Sequence, residues 1–341
     1  MRWVRLTAAG LLAAGMLVVG PGGPAGACAC GGIVSPDVDA RVTGEQALVA
    51  LDGGNETIVM SLDVTSIADN AGLIVPTPTP AVAGTAGPDL FSELARLSAP
   101  KVEPGRNTRT DLDEAGAAPG GAPTVVAQVQ LGPLEATTLS GGDLTGVRSW
   151  LDKHGYSMRQ EVTAQLDPYL REGWSFVAMR LTGEKPLNGQ LDPVRLDFDS
   201  DELVYPMRMS AAAKDTQHVT VYTLARHRMQ RTDADAAGQA VTVDFAGPVQ
   251  GRTSDQTLTE LSATNPYLTK ISTTITDPAA IATDFTFGPA PTDEPYQRVI
   301  RHGDAEDDTA LLWAVGASVL VAVLAAAVGA GLILRHRRSA R

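Results

Sequence analysis

Two uncharged segments, one at each end of the chain, constrain its organisation more than any other feature. Ala310 to Leu334 is a run of 25 residues without a charged side chain, long enough for a helix to cross a bilayer. The acidic run DAEDD precedes it, and RHRRSAR follows it. Because basic flanks stay on the cytoplasmic side, we predict a transmembrane helix with the tail inside the cell.

The first 27 residues predict a secretory signal peptide. Arg2 and Arg5 form a basic start, Leu6 to Gly20 is uncharged, and Ala25-Gly26-Ala27 fits a cleavage site before Cys28. An uncleaved anchor is the alternative, but the apolar run is shorter than the ~20 residues that a span needs. The predicted order is signal peptide 1–27, extracellular domain 28–303, acidic juxtamembrane stalk 304–309, transmembrane helix 310–334 and cytoplasmic basic tail 335–341.

The charge of the predicted external part excludes nucleic acid as a partner. Six of the 27 basic residues lie in the two terminal segments, whereas all 39 acidic residues lie between Cys28 and Asp308, which leaves a net charge of −18 there. Such a surface lacks the basic patch that nucleic-acid binding requires. It would also repel an anionic membrane surface or a polyanionic wall polymer.

Alternating patterns predict strands in the external part. The even-numbered apolar residues from Ile58 to Val64 fall on one face, with the period of a half-buried strand. Asp52-Gly53-Gly54-Asn55 before them is typical of a hairpin turn. WSFVAMRL, from Trp174 to Leu181, is apolar on both faces, as central strands are.

Helical patterns are fewer and shorter. Pro88 to Leu97 carries one apolar stripe, LTGVRSWLDKHGY ends at a glycine, and Glu161 to Glu172 stops before Gly173. The glycine- and proline-rich residues 100–123 indicate a mobile loop. We therefore predict an α+β external domain with a largely antiparallel sheet and two or three short helices. Its length also permits two packed subdomains.

Several segments occur in an order that resembles a known family. They are CACGGIVSP, GEQALVALDGGNETIVMSLDV, GLIVPTPTPAV, WLDKHGY, GWSFVAMRL and LVYPMRMSA. In this order they resemble the uncharacterised bacterial domain-of-unknown-function family 2330, whose members are secreted and membrane-anchored. The resemblance spans roughly Cys28 to Tyr222. It implies an envelope protein and provides no catalytic residue to carry over.

The sequence offers no recognisable catalytic site. The external region contains neither a His-Glu-x-x-His run nor a Gly-x-Ser-x-Gly elbow before a helix. His154, His218 and His227 stand apart from one another along the chain. A deep pocket that held one of them beside a carboxylate would favour an enzyme. We predict no catalytic residue and no cofactor.

An acidic run is the candidate metal site. In an extended strand Asp197, Asp199 and Asp201 share one face, and three close oxygen donors suit a hard cation such as calcium. The alternative is the solvated outer face of an edge strand, with Leu196 and Phe198 turned inward. We favour the alternative.

Cys28 and Cys30 are the only cysteines. Lipidation of Cys28 would need a branched aliphatic residue three positions earlier, where this chain has Ala25. Metal binding needs three or four ligands, and two thiols are too few. A bond to another protein is a third alternative. We favour a Cys28–Cys30 disulfide, because the cell surface is oxidising. So small a ring adds little stability and is easily reduced.

These observations predict a single-pass cell-membrane protein with a non-catalytic external domain. We expect that domain to bind an envelope protein or wall partner, or to have a structural role. One alternative is a thiol-redox or metal-dependent surface protein that uses the Cys-x-Cys pair. The other is a hydrolase whose site is assembled from residues distant in the sequence.

Overall fold

The computed structural model describes residues 32–35, 40–103, 128–129, 135–140 and 144–301. The predicted signal peptide, both cysteines, most of the predicted loop at 100–123 and the predicted transmembrane segment lie outside these residues. Within them, no helix has the length and apolar character needed to span a bilayer.

The described residues form a β-rich α+β fold in which most strand pairs are antiparallel. The strands are β1 Gly32–Val34, β2 Arg41–Asp52, β3 Asn55–Thr65, β4 Asn70–Thr77, β5 Val82–Thr85, β6 Lys101–Glu103, β7 Gln128–Val129, β8 Glu135–Leu139, β9 Ser175–Thr182, β10 Gly189–Leu191, β11 Val194–Asp199, β12 Leu203–Tyr205, β13 Gln217–Ala225, β14 Met229–Arg231, β15 Ala240–Pro248, β16 Tyr267–Ile275, β17 Phe285–Pro289, β18 Tyr296–Gln297 and β19 Val299–Arg301. The helices are α1 Leu90–Leu97, α2 Thr145–Lys153, α3 Gln160–Ala164, α4 Asp167–Arg171 and α5 Gln256–Thr264, with 3-10 helices at Arg208–Ala212, Ala234–Gly238 and Pro278–Ala280.

The strands within the described ranges form four sheets. The large sheet has ten strands, in the order β18-β15-β16-β13-β2-β3-β10-β7, with β11 pairing to β3 and β5 pairing to β11. The others are a four-stranded sheet, β1-β4-β9-β8, a three-stranded sheet, β12-β17-β14, and a two-stranded sheet, β19-β6. The β13–β2 pair, at the centre of the large sheet, is parallel.

The main core lies between the large and the four-stranded sheets. Met60 of the large sheet and Leu73 and Met179 of the four-stranded sheet are fully buried in it. Helices α1 and α5 cover the other face of the large sheet around Leu48, and α2 to α4 cover the other face of the four-stranded sheet around Ile74. The result is a stack of helices, sheet, sheet and helices, in which the central strands are buried on both faces.

Two local predictions are confirmed. Residues Asp52 and Asn55 pair across the β2–β3 turn, and Gly53 and Gly54 have φ of 58° and 89°, a region that glycine enters without steric cost. The predicted central strand is β9, which pairs with β4 on one side and β8 on the other.

Two other predictions differ from the structure. The helix predicted over 161–172 is two short helices, α3 and α4, because Pro168 in the first turn of α4 starts a new helix more readily than it continues one. The prediction of an edge strand around Leu196 is wrong, since β11 pairs with β3 on one side and β5 on the other. The four residues of β5 follow a proline-rich stretch, which concealed the strand.

A buried polar network fastens α4 to the rest of the fold. Asp284 Oδ1 accepts hydrogen bonds from the Tyr169 hydroxyl at 2.5 Å and the Met207 N–H at 2.7 Å. Arg208 donates from Nε to Asp284 Oδ2 at 2.8 Å and makes a two-pronged ion pair with Glu172 at 2.5 and 2.6 Å. Burial would lower the pKa of Arg208, but the hydrogen bond to Glu172 and the charge of Asp284 raise it above its ordinary value.

Candidate functional site

Two of the three histidines considered in the sequence, His154 and His218, lie away from the larger concavities described below. His154 follows the last residue of α2, where its Nδ1 lies 2.7 Å from the Trp150 carbonyl oxygen and its Nε2 lies 2.9 Å from Glu135 Oε1. The ring also packs on Trp150, with centroids 4.4 Å apart. His218 is exposed near the start of β13 and borders a cavity of only about 10 Å³. Neither histidine lies in a pocket that could hold a substrate.

The three aspartates considered as a cation site do not converge. Asp197 accepts hydrogen bonds from Arg195 Nε at 2.8 Å and from the Thr57 hydroxyl at 2.6 Å. Asp199 is the last residue of β11, and Asp201 lies beyond the strand. In the part of the chain that the structure describes, no three His, Cys, Asp or Glu side chains are grouped to hold a metal ion. Arg195 forms an ion pair with Asp197, whose carboxylate such a site would need.

The third histidine lies at a concavity, which we call the end depression. It has a volume of about 410 Å³ and lies beside the β2–β3 turn, the β11–β12 connection and the β13–β14 turn. Its apolar floor includes Leu203, Leu224, Met229 and Phe287, all less than 9% exposed. Its charged rim includes Asp52, Asp201, Glu202, Arg226 and His227.

His227 is held on this rim by a carboxylate from the segment after β17. Its Nδ1 lies 2.8 Å from Asp293 Oδ2, and Asp293 Oδ1 accepts from the Arg228 N–H at 2.8 Å. The hydrogen bond with His227 lowers the pKa of Asp293, and the Arg228 N–H adds to this effect. Both partners are exposed, His227 at 61% and Asp293 at 48% of the side chain. The pair therefore lies on an open rim and not in a closed pocket.

A fully buried carboxyl lies next to the end depression. Glu56 is opposite Leu51, which lines the depression, and its Oε1 accepts from the Val204 N–H at 2.9 Å. Burial raises the pKa of Glu56 well above its ordinary value, and the nearby Glu202 adds to this effect. No sequence motif singled out Glu56, although the alternation that turns Ile58 inward also turns Glu56 inward.

The described lining of the end depression combines an apolar floor with a charged rim. It contains no serine, threonine or cysteine that could act as a nucleophile. Its floor can receive an apolar group, and charges of both signs surround that floor. This is the composition of a recognition surface, where an apolar centre supplies affinity and a polar rim supplies orientation.

A second concavity lies between α2 and α3. This α2–α3 groove has a volume of about 500 Å³. Its buried floor includes Val147, Leu151, Tyr156 and Leu166, and its exposed rim is polar. No histidine lies among its lining residues, so the groove brings together none of the residues that the sequence singled out.

A comparison with known protein families identifies the family of this chain. Residues 24–288 match the family described as "Uncharacterized protein conserved in bacteria (DUF2330)", and this range is more than half of the chain. The chain belongs to the DUF2330 family. The resemblance stated from the sequence is thus confirmed, and the match extends past Tyr222 to Gly288 in β17. Both cysteines of this DUF2330 chain and most of the end depression lie within the matched range.

Comparisons with individual proteins add little. No curated protein matches the chain. The crystal structure of baculovirus P35 matches with a TM-score of 0.38 and 9% identity, over 75% of this chain and 99% of that chain. A mutated baculovirus P35 after caspase cleavage matches with a TM-score of 0.32 and 7% identity, over 76% of this chain and 100% of that chain. Similarity at this level supports no inference about the DUF2330 chain.

Proposed function

We propose that this DUF2330 chain is a single-pass cell-envelope protein whose external domain binds another envelope protein without catalysing a reaction. The two uncharged terminal segments support the envelope location. We assign the end depression as the binding surface. Its occupant is a segment of the partner that presents an apolar side chain next to basic residues.

The observation that carries this proposal is the contrast between the floor and the rim of the end depression. Leu203 and Phe287 are nearly buried, so a partner side chain placed against them would lose its own contact with water, at about 25 cal/mol per Å². In the described residues, the side chains of Asp52, Asp201 and Glu202 form no ion pair. Their charges are therefore available to a basic partner, which the external charge of −18 also attracts.

The test is capture of the partner from intact cells with matched charge variants. The tagged full-length chain is crosslinked on the cell surface, purified, and compared with a rim variant carrying Asp52→Asn, Asp201→Asn and Glu202→Gln. We expect the rim variant to capture its partner at least about 10-fold less, the equivalent of about 1.4 kcal/mol. The change in side-chain volume is small, so both proteins should melt at the same temperature.

The control removes the same charge elsewhere. Asp152→Asn, Asp167→Asn and Glu184→Gln change three exposed carboxylates that do not line the end depression, and this variant should capture as much as wild type. If the rim and control variants lose capture equally, the attraction comes from net charge alone and the assignment of the end depression is wrong.

Hydrolysis is a second candidate function, favoured by the His227–Asp293 pair. Asp293 holds the imidazole ring of His227 at Nδ1. In a catalytic dyad, a carboxylate orients the ring of the general base in the same way. Purified chain would be assayed on chromogenic ester, phosphate and peptide substrates beside His227→Gln. Turnover that disappears in the variant would support a hydrolase, and wild-type turnover in the variant would exclude this dyad.

A further inference from the structure

Most of the exposed large apolar side chains in the described ranges lie at one place in the fold. There are six such side chains, and four of them are Val102, Tyr296, Val299 and Ile300. Val102 is in β6, Tyr296 is in β18, and Val299 and Ile300 are in β19. Single exposed apolar residues are common on protein surfaces, whereas a cluster of them indicates a contact with another surface.

Three of these side chains belong to a small sheet of two strands. β6 (Lys101–Glu103) and β19 (Val299–Arg301) pair in parallel, and we call this sheet the contact ribbon. Ile300 lies opposite Val102, so their side chains share one face of the ribbon, and Val299 lies on the other face. An isolated two-stranded sheet is at most marginally stable in water. A ribbon with exposed apolar groups on both faces would therefore gain stability from a further apolar surface.

The contact ribbon is also less acidic than the region that contains it. Its two sequences, KVE and VIR, contain two basic residues and one acidic residue, which gives a net charge of +1. The predicted external part as a whole has a net charge of −18, which anionic lipid would repel. Apolar side chains beside basic residues and an exposed tyrosine are typical of protein segments at a membrane–water interface.

The position of the ribbon along the chain limits its distance from the predicted span. Arg301 is the last described residue, and the predicted span begins nine residues later at Ala310. Nine residues reach at most about 32 Å. A compact domain of about 270 residues has a radius of gyration of about 18 Å and is therefore about 45 Å across. An inserted span thus keeps the contact ribbon away from the far side of the domain.

We propose that the contact ribbon and Tyr296 insert their apolar side chains into the outer surface of the membrane that carries the predicted span. This inference rests on the single-pass topology of the proposed function. The contact holds the external domain in a fixed orientation on the membrane. None of the four apolar residues lines the end depression, so the membrane surface and the partner surface are distinct.

Photocrosslinking of the full-length chain in intact cells tests which surface the ribbon contacts. A photo-reactive benzoylphenylalanine replaces Val102, Ile300 or Val82, one at a time. Val82 is the matched control because it is 72% exposed but lies in β5, which is part of the large sheet. Mass spectrometry of the digested protein then identifies the adducts. We expect phospholipid adducts at positions 102 and 300 to be at least about 10-fold more abundant than at position 82, since only inserted side chains are surrounded by lipid.

Other adducts would contradict the membrane contact. Crosslinks from both ribbon positions to residues 104–127 of the same chain, or to another protein, would overturn it. Equal lipid adducts at positions 82, 102 and 300 would overturn it as well. Extraction with alkali reports separately on the span. A chain that alkali releases from the membrane would overturn both the topology and the contact, whereas a retained chain without lipid adducts would overturn the contact alone.

A polar variant of the ribbon gives an independent answer. Val102→Thr, Val299→Thr and Ile300→Thr keep β-branched side chains, which suit strands, and the photo-reactive group replaces Tyr296. We expect lipid adducts at position 296 to fall at least about 10-fold, because membrane binding scales with buried apolar area. Val82→Thr is the control and should leave them unchanged. Melting shows whether each variant folds, and wild-type adduct levels in the folded polar variant would overturn the insertion.

Discussion

At the scale of single residues, Glu56 places a carboxyl group in the interior of the fold. It is fully buried, and its Oε1 accepts a hydrogen bond from the Val204 N–H. Burial favours the neutral carboxyl, and this raises the pKa of Glu56 well above its ordinary value of 4.5. The folded chain therefore holds this proton more tightly than the unfolded chain does.

Stability should consequently depend on the ionisation of Glu56. Its contribution is fully present below pH 4.5, where the unfolded chain is also protonated, and is lost as pH rises through the raised folded-state pKa. Each unit of that rise corresponds to about 1.4 kcal/mol. Glu56→Gln cannot ionise, so its free energy of unfolding should fall less between pH 4.5 and 8 than that of wild type.

Chemical denaturation at several pH values measures this difference. Glu184→Gln, an exposed change at a residue that does not contribute to the raised pKa of Glu56, is the control and should follow the wild-type pH dependence closely. Parallel curves for wild type and Glu56→Gln would show that Glu56 does not titrate in this range.

At the scale of elements, one carboxylate connects α4, β17 and the 3-10 helix at Arg208–Ala212. Asp284, just before β17, binds the Tyr169 hydroxyl of α4 and the backbone N–H of Met207. The same carboxylate pairs with the half-buried Arg208. A five-residue helix such as α4 is too short to be stable alone, so its position depends on these tertiary bonds.

Replacement of Asp284 should therefore destabilise the fold strongly. Asp284→Asn leaves Arg208 with only the exposed Glu172 as a charged partner and weakens the four hydrogen bonds that Asp284 accepts, so we expect a loss of about 3 kcal/mol in the free energy of unfolding. Glu93→Gln breaks the exposed pair with Arg96 on α1 and should cost less than about 1 kcal/mol. Equal losses in the two variants, measured by urea denaturation, would contradict a structural role for the buried network.

At the scale of the whole molecule, the proposed organisation depends on the two terminal segments and the acidic region between them. Residues 32–301 contain the helix–sheet–sheet–helix stack, and both uncharged segments lie outside it. The predicted span separates regions of opposite charge. The region between Cys28 and Asp308 has a net charge of −18, and the tail after Leu334 is rich in arginine. The arginines after Leu334 predict that the proposed single-pass protein has its large domain outside the cell.

Protease added to intact cells tests this orientation. An antibody tag placed after Arg341 should remain on a small fragment that contains the span and the basic tail, while the rest of the chain is digested. Opening the cells before digestion should also remove the tag. A full-length chain that survives on intact cells would place the large domain inside and contradict the topology.

Structural elements that depend on neighbouring residues agree with their predictions from the sequence. The turn at Gly53-Gly54 needs positive φ, and the two-sided apolar run of β9 needs burial on both faces, so each could be predicted from its own residues. Helix α5 was not predicted, because only Leu258 and Ser262 of its residues are buried. Its start depends on the Asp255 side chain, which accepts from the Leu258 N–H at 2.9 Å.

The sequence by itself determined the α+β class, the main hairpin, the central strand β9 and the family, because these depend on local periodicity and on the order of segments. Only the tertiary structure decided which distant residues meet. It brought Asp201 and His227 to one rim, and Val102 and Ile300 to one face of the contact ribbon. Such contacts join residues far apart in the chain, and their positions follow from strand order and sheet packing, which no local pattern specifies.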